Sequence, residues 1–141
     1  MGSLSNYAEN KILDHLTGKT SYTMPTIYVA LSTTDPREPG SGTTDPSGNN
    51  HSRVTTSGST WNSASNGSTT NNTDITFPTA SGSWGTVQYG ALYDAANNGN
   101  MIAYGTLNPS KTVGDGDVFK ILAGNLNKSI VTGKQIGRAH V

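Results

Sequence analysis

Leu4, Ala8, Ile12 and Leu16 recur at four-residue intervals, a spacing that stacks them on one face of an α-helix. Ser3 or Ser5 offers an N-cap and Gly18 a stop, so the pattern predicts one amphipathic helix over residues 4–16. Its apolar stripe is expected to dock on a sheet. Past Gly18 the period falls to two. In residues 26–31, Ile27, Val29 and Leu31 alternate with Tyr28 and Ala30, and a strand apolar on both faces belongs in the middle of a sheet. Residues 74–79, 86–94, 101–107, 118–122 and 126–131 read as further strands, and 53–56 as a short pairing segment. Strict alternation in 86–94 sets Val87, Tyr89, Ala91 and Tyr93 on one side and Gln88, Gly90 and Leu92 on the other. Ile27, Val29, Leu31, Val87, Ala91, Ile102 and Leu107 are therefore expected in the interior, where period-2 apolar positions share a covered face.

The turn signals lie between these runs. Asn97-Asn98-Gly99-Asn100 suits a type I′ hairpin, because Asn and Gly accept the positive φ that it requires. Asn108-Pro109-Ser110 should end the strand before it, and Gly114-Asp115-Gly116-Asp117 should turn the chain again. Asp35-Pro36, Glu38-Pro39-Gly40 and Asp45-Pro46-Ser47-Gly48 follow one another with no hydrophobic period between them, so residues 33–52 form a long loop. Residues 57–73 hold only Trp61 and Ala64 as apolar side chains and are expected to be an irregular, poorly packed excursion. About six to eight short strands behind one helix make the chain mainly β, an antiparallel β-sandwich or flattened barrel with one N-terminal α-helix.

Composition narrows what such a fold does. Across 141 residues, one domain's worth, 16 Ser, 20 Thr, 14 Asn and 17 Gly make up almost half the chain, and only 13% is charged. That charged share is about half the ~25% usual for soluble domains, so neutral polar groups do the solvating. Nine basic residues balance nine acidic ones, which leaves no net field to recruit nucleic acid or anionic lipid. The absence of cysteine excludes a disulfide framework and a thiolate site. No apolar run approaches the ~20 residues that span a bilayer, and Asn6 stands where a myristoylated Met-Gly start wants Ser or Thr. Neither nucleic acid nor membrane is an expected partner.

The chemistry-bearing residues do not group. His15, His51 and His140 fall on a helix, in a loop and in the tail, and the two glutamates, Glu9 and Glu38, are far apart. Asp115-Gly116-Asp117 lacks the further acidic ligands that ~6–8-fold calcium coordination needs and reads as a tight turn. Gly18-Lys19-Thr20 is only the end of a phosphate-binding loop, with Leu13 where its leading Gly should be. No catalytic residue, metal ligand or cofactor is expected. The rings of Tyr28, Trp84, Tyr89, Tyr93 and Tyr104 are better explained by core and cross-strand pairing than by a carbohydrate platform. Trp61 stands alone in its polar stretch, as an anchor or an exposed contact. The Asn-x-Ser/Thr triplets beginning at Asn50, Asn66, Asn71 and Asn127 are expected by chance in so Asn- and Thr-rich a chain.

Six stretches carry a family resemblance in order and spacing across about residues 4–130: Leu13-Asp14-His15-Leu16-Thr17-Gly18-Lys19, Pro25-Thr26-Ile27-Tyr28-Val29-Ala30-Leu31, Ile75-Thr76-Phe77-Pro78-Thr79-Ala80, Ser83-Trp84-Gly85-Thr86-Val87, Ala103-Tyr104-Gly105-Thr106-Leu107 and Ala123-Gly124-Asn125-Leu126. Together they resemble a family of small tailed-bacteriophage proteins commonly labelled tail-fibre or virion structural proteins. The resemblance implies a virion component, made in the bacterial host cytoplasm and packed against other virion proteins. Two structureless loops longer than about 12–15 residues, 33–52 and 57–73, in a chain with few charges are expected to contribute to self-association as a trimer or ring. Tail or fibre accessory, capsid decoration and host-surface glycan binding are the roles the resemblance leaves open. The 33–52 loop departs from the resemblance, carrying His51 where an aromatic is expected near Arg53. Trp61, His51 and Arg53 are accordingly the candidate surface or interface contacts. Gln135-Ile136-Gly137-Arg138-Ala139-His140-Val141 resembles a translated sequencing adapter, so residues 1–132 are expected to form the domain and 133–141 a non-native tail.

Overall fold

A computed structural model describes residues 3–126. The expected strand 126–131 and the tail 133–141 lie outside the described residues, apart from Leu126 itself. The chain opens with β1 (Ser3–Leu4) and α1 (Asn6–Leu16). Ser5 supplies the cap: its hydroxyl oxygen accepts from Ala8 N–H at 3.1 Å, and its hydroxyl donates to the Met101 carbonyl. The helix ends at Thr17, followed by Gly18 at φ +79°. Of its stripe, Ala8 is buried and Ile12 packs against the core, while Leu16 is 70% exposed, so the docking face covers only the first two turns.

β2 (Tyr28–Ser32), β3 (Val54–Thr55), β5 (Gly85–Tyr93) and β6 (Met101–Val113) join β1 in one five-stranded antiparallel sheet of order β1-β6-β5-β2-β3. β4 (Ile75–Thr76) and β7 (Lys120–Ile121) form a separate two-stranded antiparallel ribbon. β2 is internal, as its two apolar faces demand. Val29, Leu31, Val87, Leu92, Ala103 and Leu107 from the large sheet, Ile75, Phe77, Phe119 and Ile121 from and beside the ribbon, and Leu4 and Ala8 from the N-terminus share one buried cluster. This is an open sandwich with α1 at its flank. Full burial of such a side chain contributes about 1.5–3 kcal/mol, so the shared cluster is what holds the two sheets together.

Two expected strands differ in detail. β5 does not alternate strictly: its register with β6 slips between Val87 and Tyr89. At the slip Gln88 stands opposite four residues of β6, 107–110, and the alternation of β5 breaks there, so Val87 shares the core cluster with Leu92 while Tyr89, Ala91 and Tyr93 line the opposite face. Ala91 is thus buried as expected, but on the other side of the sheet. Ile27 and Ile102 are only partly buried. β6 runs through Asn108-Pro109-Ser110 rather than stopping at Leu107, because its ladder with β5 is interrupted between Thr106 and Lys111, where a proline's missing N–H costs no pairing.

The 33–52 loop carries no strand, as expected, and is packed as a roof on the outer face of the large sheet. Ser32 Oγ accepts from Thr44 N–H at 3.0 Å, and the Tyr93 hydroxyl reaches Thr43 Oγ1 at 2.6 Å. Ala30, Ala91, Tyr93 and Met101 are buried on this face. Gly40 is required at the closest approach, since a Cβ there would lie 2.9 Å from Met101 Cβ and its φ is +80°.

Residues 57–73 are better ordered than composition suggests. Ser65 and Ser68 exchange backbone hydrogen bonds of 2.8 and 3.1 Å, Asn62 N–H donates to Thr70 O at 2.9 Å, and Asn72 N–H to Thr60 O at 2.7 Å. Asn66 and Gly67 sit at φ +55° and +76°, the geometry of a type I′ hairpin tip. The excursion is a narrow β-finger.

Candidate contact surfaces

The finger is anchored at its base. Trp61 packs against the core and its indole N–H donates to Thr56 Oγ1 at 3.2 Å, so it serves as anchor. Opposite Trp61, Asn71 is fully buried. Its Nδ2 donates to the carbonyls of Thr73, Leu122 and Ile121 at 2.9, 3.0 and 3.3 Å, and its Oδ1 accepts from Leu126 N–H at 3.1 Å. This single amide ties the finger to the end of β7. Residues 62–67 beyond it are exposed and carry only Asn, Ser, Ala and Gly side chains.

His51, near the end of the 33–52 loop, and Arg53, just after it, line one cleft with Asp45, and Trp61 is not with them. Arg53 is turned inward, its side chain only 6% exposed. Nε and Nη2 donate to the two Asp45 carboxylate oxygens at 3.0 Å each, and Nη1 donates to the carbonyls of Ala95 and Asn98 at 2.9 Å. The guanidinium lies 4.0 Å from the Tyr93 ring centroid. Burial raises the Tyr93 hydroxyl pKa, against the lowering pull of its bond to Thr43 and of Arg53. His51 packs edge-on to Trp84 at 4.9 Å and stacks on Phe77 at 6.3 Å. Burial holds its pKa below the ordinary imidazole value, Arg53 adds to the lowering, and Asp45 opposes it. His51, Ser52, Arg53, Asp45, Asn97 and Asn98 line a polar cleft of about 450 Å³.

A second depression, of about 550 Å³, runs between β6 and β7 and is lined by Leu107, Pro109, Val113, Phe119, Ile121 and Asn125 among others. Val118 and Leu122, both on it, are 46% and 52% exposed. Among the described residues no group of three or more His, Asp or Glu side chains is placed to hold a metal ion, and no helix is long and apolar enough to cross a membrane.

Composition gave no reason to single out Asn71 or Asp45: the first read as a chance triplet and the second as a turn residue. The finger did have a signal, since Asn66-Gly67 between short polar runs is the same dipeptide logic that marks Asn98-Gly99.

A search of curated proteins finds no match. Residues 3–129 match a protein-family model described as Podophage GP4 fiber I protein gp80, which takes in every described strand, the helix, the finger and the roof loop. With nearly the whole chain matched, this protein belongs to that family of phage fibre proteins.

Proposed function

We propose that the chain is a non-enzymatic structural part of a phage virion, a tail or tail-fibre accessory that associates with itself as a trimer or ring and with neighbouring virion proteins. The observation that supports self-association best is the finger. Its exposed tip offers neutral hydrogen-bonding groups on a firm base, and such groups enter an interface without the cost of desolvating ions. The roof loop serves the fold internally, which leaves the finger as the better contact of the two long excursions. Closed symmetry suits a contact of this kind, because one patch on each copy can meet a different patch on the next.

Multi-angle light scattering at micromolar concentration tests the reading. The wild-type chain is expected to run at a multiple of its 14.7 kDa mass. A chain carrying Ser63→Arg and Ser65→Arg is expected to run as a monomer with an unchanged melt. A strictly monomeric wild type overturns self-association in isolation. Membership of a fibre family favours the tail over capsid decoration, and labelled electron micrographs of virions discriminate between them. The polar cleft beside Arg53 supports a second reading, host-surface glycan binding, which a glycan array with His51 and Asn97 variants addresses.

A further inference from the structure

The cleft beside Arg53 is bordered by the 33–52 loop on one side and the β5–β6 hairpin on the other, and both walls are fixed. Gly48, Asn49 and Asn50 follow one another at φ +67°, +49° and +68°, a left-handed run that residues other than glycine rarely adopt. Three bonds hold it: Asn49 Nδ2 donates to Ser83 O at 2.8 Å, Asn50 Nδ2 to Thr79 O at 2.9 Å, and the Trp84 indole N–H to Asn49 O at 2.9 Å. On the hairpin, Asn100 N–H and Nδ2 donate to the two Asp94 carboxylate oxygens at 2.7 and 3.0 Å. Sparsely populated backbone that its surroundings over-determine clusters at ligand sites, and walls ordered beforehand lower the cost of binding.

Between these walls the charges cancel and hydrogen-bonding capacity is left over. Four of the five Arg53 N–H groups are taken by Asp45, Ala95 and Asn98. Each Asp45 oxygen accepts one bond from Arg53 and keeps a further lone pair, and that side chain is 29% exposed. The side chains of Ser52, Asn97 and Asn98 are exposed on the cleft and make no hydrogen bond among the described residues. A volume of about 450 Å³ falls within the ~300–1,000 Å³ of small-molecule sites, but such sites are mostly apolar, and here Pro46 and Ala96 supply the apolar lining. We propose that the cleft binds one neutral, polyhydroxylated ring of hexose size through Asp45, Ser52, Asn97 and Asn98. This rests on the reading of the cleft as a glycan site and narrows it to uncharged sugars. A sugar hydroxyl both donates and accepts, as the two amides and the serine hydroxyl do, and the carboxylate takes further donors. Because Arg53 and Asp45 already neutralise each other, an ionised sugar would lose water there with no free counter-charge to meet it.

Amide chemical shifts of the isotope-labelled full chain are the readout, titrated with the methyl glycosides of glucose, galactose, mannose and N-acetylglucosamine and, as charged counterparts, with glucuronic acid and glucosamine. At least one neutral glycoside is expected to shift amides of residues 45–53 and 95–99 saturably, with a Kd of about 1–10 mM for so small a ligand. The charged counterparts are expected to bind at least about tenfold more weakly. Asn97→Ala and Ser52→Ala, both at exposed positions, are expected to weaken the neutral ligand by about threefold to tenfold each while the melt stays unchanged. No saturable shift with any neutral glycoside well above that affinity overturns the proposal and the glycan reading of the cleft together. A charged sugar that binds there as tightly overturns the neutral class and leaves the glycan reading standing. Saturable shifts confined to other parts of the chain overturn the cleft as the site. Binding of a neutral glycoside at the cleft with a blank glycan array upholds the proposal and removes the host surface as the source of the sugar.

Discussion

Arg53 meets Asp45 as a fork, with Nε donating to Oδ2 and Nη2 to Oδ1, both at 3.0 Å. Because Nη1 holds the carbonyls of Ala95 and Asn98 at the same time, one side chain joins the roof loop, the start of β3 and the β5–β6 hairpin over the Tyr93 ring. Lysine keeps the charge but has neither the fork nor the flat face that stacks.

Arg53→Ala is therefore expected to cost roughly 2–3 kcal/mol, below the ~3–5 kcal/mol of a fully buried pair because Asp45 keeps some contact with water. Arg53→Lys is expected to recover less than half of that loss. Urea unfolding gives both values from shifted midpoints at constant slope. A lysine variant as stable as the wild type would show that charge alone suffices.

His51 makes stability depend on pH with a definite sign. Its folded-state pKa lies below the unfolded value because burial among Trp84 and Phe77 disfavours the charged ring, and its Nε2 has no hydrogen-bond partner among the described residues. Where the unfolded chain binds a proton that the folded chain does not, stability rises with pH. The contribution is present above the ordinary imidazole pKa of about 6.5 and is lost as pH falls through the window between the two values. Thermal melts of the wild type and of His51→Phe at pH 7.5, 6.5 and 5.5 are expected to diverge, with the wild type losing more on acidification. Parallel curves would assign the acid loss to the carboxylates.

Gly67 tests whether the finger is a separate unit. At φ +76°, with nothing within 4 Å of where a Cβ would stand, Gly67→Ala meets backbone strain and no clash. The expected cost is about 1 kcal/mol, confined to the tip. Amides of Ser65 and Ser68 should exchange faster while the melting temperature barely moves.

What the sequence made legible follows from how local each signal is. The α1 stripe, the two-faced β2 and the Asn98-Gly99 hairpin are patterns within a few residues; β2 and the hairpin stand where periodicity and turn chemistry put them, while the stripe holds only at Ala8 and Ile12, since Leu4 belongs to β1 and Leu16 is exposed. The irregularity after Val87 was not legible, because a break in alternation there moves every later side chain to the other face and leaves no mark in hydrophobicity. Turn signals identified the 33–52 loop but not its seat, which depends on Tyr93 and Met101 some fifty residues away. Arg53 drew notice as a contact candidate, and the partner that turns it inward, Asp45, read only as part of a turn.

Asn71 is the sharpest case of a role set wholly by distant partners, and its removal is expected to be costly. The carboxamide makes at least four bonds, to three carbonyls and one N–H, drawn from the finger's return and from the far end of β7. Asn71→Ala leaves those groups facing a small buried void that water does not readily reach. An unsatisfied buried polar group costs about 1–3 kcal/mol, and the loss here should stay near about 3 kcal/mol because Gly124 N–H still donates to the Asn71 carbonyl at 2.8 Å and keeps the strand ends together. Asn71→Asp separates shape from donors: it retains an acceptor for Leu126 N–H but turns carboxylate oxygens toward three carbonyls. The aspartate variant is therefore expected to be at least as destabilised as alanine at pH 7 and to regain part of the loss at pH 4, where a protonated carboxyl can donate once. Urea midpoints at both pH values, each compared with the wild type at the same pH, carry the test. An aspartate variant that matches the wild type at pH 7 would mean that the three carbonyls find other donors and that Asn71 does not tie the finger to β7.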